Sequence, residues 1–261
     1  MKISLMSHLI AGFPTNEVAF LCAKSLVKGG AKSIEIQLPF SEPSADGEAI
    51  SSACAEVLKG GFSVSEAFDL AEKIRGELGV EVVMMSYASL VFTPGVERFA
   101  KHAAARGVSG LIVPDLPFDL DEGLRAACEE NEMEMIPVAA PSMSGERLGW
   151  LKEARFGRIY AALRTGITGL QTQVTEQTRV FLNSLREENL QKLNLSSQTA
   201  SQPRILGGFG ITDRLSAAAA APFVDQVVAG SVFVRLITAN RENLGAMQEA
   251  LEAKAREICG E

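Results

Sequence analysis

The sequence predicts a (β/α)8 TIM barrel built as a single domain over residues 1–261, and three observations predict it. Short apolar runs recur eight times at intervals of roughly 20 to 30 residues, helix-period segments separate them, and no linker divides the chain. Alternating strand and helix implies a parallel sheet with helical crossovers. Eight such units at this length favour a closed barrel over an open doubly wound sheet. The runs are continuously apolar, as strands covered on both faces require.

Taken in order, the strands are expected at Ile3–Ile10, Ser33–Leu38, Val80–Met85, Gly110–Val113, Met133–Val138, Arg158–Leu163, Arg204–Leu206 and Val224–Val228. The helices are expected at Asn16–Lys28, Glu48–Leu58, Val64–Leu78, Val96–Ala105, Asp121–Asn131, Gly145–Glu153, Thr172–Gln191 and Asp213–Ala220. A last amphipathic segment, Asn243–Ile258, reads as a C-terminal helix on the outside. Pro94 and Pro114 are read as marking strand ends. The chain enters its first strand almost at once, so the N-terminal mouth is expected to lack a covering helix. The polar stretch 189–203 reads as a mobile surface loop.

The chain is organised around Ala31 to Ile50, a buried strand, a Pro/Gly/Ser-rich loop and the start of a helix. Glu35 interrupts the apolar strand, and Asp46 closes the loop in Ala-Asp-Gly. An unpaired buried carboxylate is costly, so Glu35 is held by an ion pair, a network or a chemical task. Two carboxylates in environments of different wetness suit acid–base chemistry. The competing reading is a salt-bridged Glu and a helix-capping Asp. In a barrel, both residues stand at the C-terminal ends of the strands, where chemistry is done. Tyr160 meets the same cavity or packs in the core with its hydroxyl satisfied.

Three glycine-rich turns follow the last strands: Arg164 to Gly169, Gly207-Gly-Phe-Gly-Ile-Thr212 and Ala229-Gly-Ser231, the last opening a helix. Glycines let backbone approach a ligand, and a helix N-terminus offers free N–H groups, so together the turns point to a phosphate site. Asp115 is read either as positioning loops near Asp46 or as capping a turn. His8 and His102 are read as packing or surface residues rather than ligands.

Composition narrows the rest. The 261 residues carry a net charge of −7 with no basic block, which excludes nucleic acid and anionic membrane as natural partners. Cys22, Cys54, Cys128 and Cys259 lie far apart without C-x-x-C, which argues against zinc and a disulfide framework and suits a reducing cytoplasm. Neither a secretory signal nor an apolar run of ~18 residues is expected.

These residues together resemble the tryptophan synthase alpha subunit family over Leu5 to Glu257. The resemblance is carried by Ile34-Glu-Ile with Leu38-Pro-Phe-Ser41 and Ala45-Asp-Gly47, by Tyr87 followed by Leu90-Val-Phe, by Val113-Pro-Asp-Leu-Pro117, by Arg164 to Gly169 and by Gly208-Phe-Gly-Ile211. The pattern Pro-Phe-Ser-Asp-Pro-x-Ala-Asp-Gly holds here except at Glu42. Gln37, Glu48 and Ser89 also depart from the family's usual residues.

The resemblance implies a lyase of tryptophan biosynthesis that splits indole-3-glycerol phosphate into indole and glyceraldehyde 3-phosphate by retro-aldol cleavage. It places the catalytic roles on Glu35 and Asp46 with Tyr160 beside them. It assigns phosphate binding to Gly169, Gly210, Gly230 and Ser231, with Phe209 also walling the indole site. It implies no metal or organic cofactor, and a beta chain as partner in an alpha2beta2 tetramer. The alternatives are a stand-alone indole-3-glycerol-phosphate lyase and a non-catalytic activator of a beta chain.

Overall fold

The structure, a computed structural model, describes residues 2–163, 174–186 and 202–260. In chain order the described elements are β1 (Leu5–Ile10), α1 (Asn16–Lys28), β2 (Ser33–Gln37), α2 (Glu48–Lys59), α3 (Val64–Leu78), β3 (Glu81–Met85), α4 (Ala88–Phe92), α5 (Val96–Ala105), β4 (Val108–Ile112) and α6 (Leu124–Glu130). There follow β5 (Glu134–Met135), β6 (Val138–Ala139), α7 (Gly145–Glu153), β7 (Arg158–Ala162), α8 (Glu176–Arg186), β8 (Arg204–Gly208), α9 (Arg214–Ala220), β9 (Gln226–Ala229), α10 (Ser231–Ala239) and α11 (Leu244–Cys259).

Every strand pairing is parallel, in the order β5-β4-β3-β2-β1-β9-β8-β7-β6. β5 and β6 are two halves of the run expected as one strand, Met133–Val138. Pro137 parts them, because it has no N–H to give to a ladder. Ile136 still donates its N–H to the Leu111 carbonyl (2.8 Å), and the Pro137 carbonyl accepts from the Tyr160 N–H (2.9 Å). One stretch of chain therefore bonds both ends of the sheet, and the sheet closes as an eight-stranded barrel.

The pleat sorts side chains alternately to two sides. Met6, Val83, Met85, Ile112, Ile136, Tyr160, Leu206 and Val228 fill the barrel interior. Leu5, Leu9, Ile34, Ile36, Val82 and Met84 face outward into the layer shared with the helices. Each fully buried aliphatic side chain of this kind contributes ~1.5–3 kcal/mol. The outer helices start where polar caps allow. Ser63 and Glu66 form a capping box on α3, and Thr15, Ser144, Asp213 and Asn243 cap α1, α7, α9 and α11. α11 lies against α1 and reaches the lower end of β1, where the Ile3 N–H donates to the Cys259 carbonyl (3.0 Å).

Three expectations change. A short helix, α4, stands between β3 and α5, so Pro94 lies in a helix–helix turn and ends no strand. The helix expected from Asp121 begins at Leu124, because the Asp121 carboxylate accepts the Gly123 and Arg125 N–H groups (3.2 and 2.8 Å) and caps it. α8 realises the middle of the helix expected over Thr172–Gln191, while Arg164 to Gln173 and 187–201, with Gly169 among them, lie outside the described residues.

Candidate active site

The upper ends of β1, β2, β7, β8 and β9 surround a cavity. Its lining includes His8, Glu35, Gln37, Asp46, Tyr160, Phe209, Gly210, Gly230 and Ser231, with Met85, Ile112 and Val138 as an apolar wall. Of the site residues expected from sequence, Glu35, Asp46, Tyr160, Phe209, Gly210, Gly230 and Ser231 thus meet at one place. Gly169 lies outside the described residues.

Glu35 is 3% exposed and Asp46 8%. Glu35 points into the barrel because β2 alternates, with Ile34 and Ile36 packed on the helix side. Its Oε1 lies 3.2 Å from His8 Nδ1, and its Oε2 has no hydrogen-bond partner. Asp46 is held by two donors on one oxygen: the Gln37 side-chain amide at 2.7 Å and the Tyr87 hydroxyl at 2.9 Å reach Oδ2. The Ala45 N–H donates in turn to the Tyr87 hydroxyl (3.1 Å), and Phe40 stacks on the Tyr87 ring at 5.0 Å. This tethers the loop between β2 and α2 to the start of α4. Asp115 fastens the same corner by accepting the Ala88 N–H (2.9 Å), so it caps α4 and positions Tyr87 without touching Asp46 itself.

Burial pushes the Asp46 carboxyl above its ordinary range, against the pull of His8, Gln37 and Tyr87, and the charge of Glu35 adds to the rise. Burial also lifts the Tyr160 phenol well above its usual value, helped by Glu35 and Asp46, so the phenol stays protonated. Tyr160 meets Phe209 edge to face at 6.0 Å. Phe209 holds φ +72°, a left-handed conformation that a bulky side chain rarely adopts and that clusters at working sites. Gly208 must be glycine here, because a Cβ would sit 2.0 Å from the Tyr160 oxygen. Gly230 and Ser231 form the N-terminus of α10, whose free N–H groups and positive dipole end face the cavity mouth.

The family model for the tryptophan synthase alpha chain matches residues 1–260. The chain belongs to the tryptophan synthase alpha chain family. It is 37% identical over 258 residues to the tryptophan synthase alpha chain of Methanosarcina acetivorans, covering 98% of this chain and 87% of the relative. It is 34% identical to that of Helicobacter hepaticus, over 91% of this chain and 86% of the relative. Among solved structures it resembles tryptophan synthase from Mycobacterium tuberculosis (TM-score 0.82, 30% identity, 99% and 93% covered). A mutant tryptophan synthase alpha-subunit from Pyrococcus furiosus matches likewise (TM-score 0.82, 26% identity, both chains fully covered). The tryptophan synthase alpha family is a lyase family of tryptophan biosynthesis that cleaves indole-3-glycerol phosphate and works with a beta chain, and its barrel is the fold seen here. No described helix is long and apolar enough to cross a membrane.

Two residues of the site escaped the sequence reading. His8, read as packing or surface, is buried at 5% exposure against Glu35 inside the cavity. Gln37 registered as a departure from the family, yet it donates to Asp46. The register explains both: the strand pairing sets His8 beside Glu35 and Ile10 beside Gln37, and a parallel pair turns matched side chains to the same face. His102 is a surface residue, its ring edge on Phe68 at 4.5 Å.

Proposed function

We propose that this chain performs the retro-aldol cleavage of indole-3-glycerol phosphate with Glu35 as proton carrier and Asp46 as the anchor of the indole nitrogen. The observation that carries this reading is the pair of buried carboxylates in one cavity, one with an oxygen left unpartnered and the other fixed by two donors. Glu35 gives its proton to indole C3, and the ring becomes an indolenine cation. Asp46 accepts the ring N–H and stabilises that charge. The Glu35 carboxylate then takes the proton from the hydroxyl on the carbon attached to C3. The C3–carbon bond breaks, its electrons return to the ring as indole leaves, and the oxygen becomes the aldehyde of glyceraldehyde 3-phosphate. Glu35 ends protonated, ready for another turn.

The apolar wall and Phe209 suit the indole ring. The phosphate goes to the mouth, on the Gly210 backbone and the α10 N-terminus at Gly230 and Ser231, with Gly169 as a further donor. Tyr160, protonated beside the carboxylates, orients the substrate. The whole chain acts as one barrel unit. It works in the cytoplasm, which the buried free thiols of Cys22, Cys54 and Cys128 support. The loops after β2 and β7 meet a beta chain in an alpha2beta2 assembly, with Glu42 and Glu48 carrying the negative charge of the first.

The test is indole formation from indole-3-glycerol phosphate, measured for wild type and Glu35→Gln, each alone and with a beta chain. Wild type is expected to turn over and to be faster in the complex. Glu35→Gln is expected to lose roughly three or more orders of magnitude, from two proton transfers at ~10²–10⁴ each, with its fold intact by circular dichroism. Turnover of Glu35→Gln within about tenfold of wild type overturns the assignment.

A further inference from the structure

The cavity holds a buried titratable group to which the cleavage gives no task, His8. Its Nδ1 lies 3.2 Å from Glu35 Oε1, with both side chains less than a tenth exposed. Its Nε2 is buried and has no hydrogen-bond partner. Gly230 holds the ring from the far side, where a Cβ would come within 3.1 Å of the His8 Cβ, Cγ and Cδ2 atoms. The charged or titratable groups around the ring are Glu35 from β2, Asp46 from the loop before α2 and Tyr160 from β7, with Tyr87 behind Asp46. β9 and α10 turn only Val228, Gly230 and Ser231 toward the cavity.

We propose that His8 is a proton-sharing and positioning residue for Glu35: the pair in contact at Nδ1 and Oε1 carries one proton beyond neutral imidazole and carboxylate, and that proton is delivered to indole C3 from Oε2, with Nδ1–H donating to Oε1. This rests on the reading of Glu35 as proton carrier. The first step consumes an acid proton, and a carboxyl group standing alone in a dry cavity has no neighbouring reservoir to supply it. An imidazole in direct contact changes the supply. The singly protonated pair exists as imidazolium with carboxylate or as imidazole with carboxylic acid, and the second form donates to the ring carbon. After donation the pair is neutral imidazole with carboxylate, the base that takes the hydroxyl proton back, so protons balance over the cycle. The Nδ1 contact also pins one carboxyl oxygen and leaves Oε2 for the substrate. Burial, the strongest influence on His8, opposes its charge, but the charge and hydrogen bond of Glu35 and the charge of Asp46 outweigh it. The imidazole pKa is therefore raised, and the shared proton survives to higher pH.

The experiment compares kcat against pH for full-length wild type, His8→Phe, His8→Gln and Glu35→Gln on indole-3-glycerol phosphate. Both His8 variants are expected to lose activity from about one pH unit or more below the wild-type alkaline limb. Their deficit is then about tenfold or more at about pH 8 and shrinks toward acid pH, while KM changes less than about threefold. A deficit of the same factor at every pH, or a His8→Gln profile that superimposes on wild type, overturns the proposal and leaves His8 a packing residue. Turnover in Glu35→Gln, which keeps His8, instead overturns the proton-carrier reading itself. A second measurement stands if a variant fails to fold. The chain has two histidines, so the His8 signal can be followed by imidazole NMR in wild type and in Glu35→Gln. The wild-type midpoint is expected above about 6.5 and should move down when the partner charge is removed. An unchanged midpoint overturns the pairing.

Discussion

The two ends of the barrel both bury charge, and they treat it in opposite ways. At the lower end Arg158, 5% exposed, enters from the first position of β7. Its Nη1 reaches Glu81 at 2.5 Å, its Nε reaches Glu134 at 2.6 Å and its Nη2 donates to the Ser109 carbonyl at 3.1 Å. Gly110 leaves the room, since a Cβ there would lie 2.8 Å from Nη2. The guanidinium is engaged on all three nitrogens, and its carboxylates are partly wet. At the upper end, Glu35 Oε2, His8 Nε2 and Gln37 Oε1 are buried with no hydrogen-bond partner. Saturated polar networks fix a structure, and unsaturated ones cost stability that a ligand or an ordered water returns. One strand joins the two regimes, since β7 starts at Arg158 and sends Tyr160 into the cavity.

The contrast breaks most sharply at Asp46. Asp46→Asn is expected to lower turnover about 10²- to 10³-fold, as removal of a charge-stabilising group does, and yet to melt higher than wild type. The sign follows from burial, which raises the folded-state pKa of Asp46. Its contribution to stability is full below the ordinary carboxylate range and is lost as pH rises through the raised value. The gain in melting temperature should therefore be larger at about pH 7 than at about pH 4 in calorimetry. A variant that melts lower at neutral pH would place Asp46 with the stabilising charges instead.

The lower end should answer in the reverse sense. Arg158→Met is expected to cost about 1–3 kcal/mol in urea unfolding, below the full price of breaking a buried pair because Glu81 and Glu134 remain hydrated. Turnover per folded molecule should be unchanged. Lost turnover in a folded Arg158→Met would erase the distinction between the ends. The smallest effect is expected at the mouth. Ser231→Asp sets an anion against the proposed phosphate and should raise KM about tenfold with little change in melting temperature. An unchanged KM moves the phosphate elsewhere.

Much of this was legible in the residues. Glu35 stands out because a dry strand rarely carries a carboxylate, and Asp46 because it closes a Pro/Gly-rich loop. The glycines after β8 and β9 mark the mouth for the same local reason. His8 was not legible: an imidazole in an apolar run gives no periodic signal, and its role exists only once β1 and β2 are set in register. Arg158 was passed over as the first residue of a strand, since its partners lie 24, 49 and 77 positions away. Pro137 could have warned of the divided strand, because its missing N–H is written in the sequence. α4 is too short, at five residues, to show a helical period.

The close approach of Gly208 to Tyr160 also constrains how this protein can change over evolutionary time. Even the ring carbon Cζ would lie 2.5 Å from an added Cβ, so Tyr160→Phe alone leaves no room for alanine at 208. A lineage must first replace Tyr160 by a smaller side chain before position 208 can vary, and in the reverse direction glycine must arrive before the aromatic ring. The two positions lie 48 residues apart in the chain, yet mutation can reach new combinations of them in one order only.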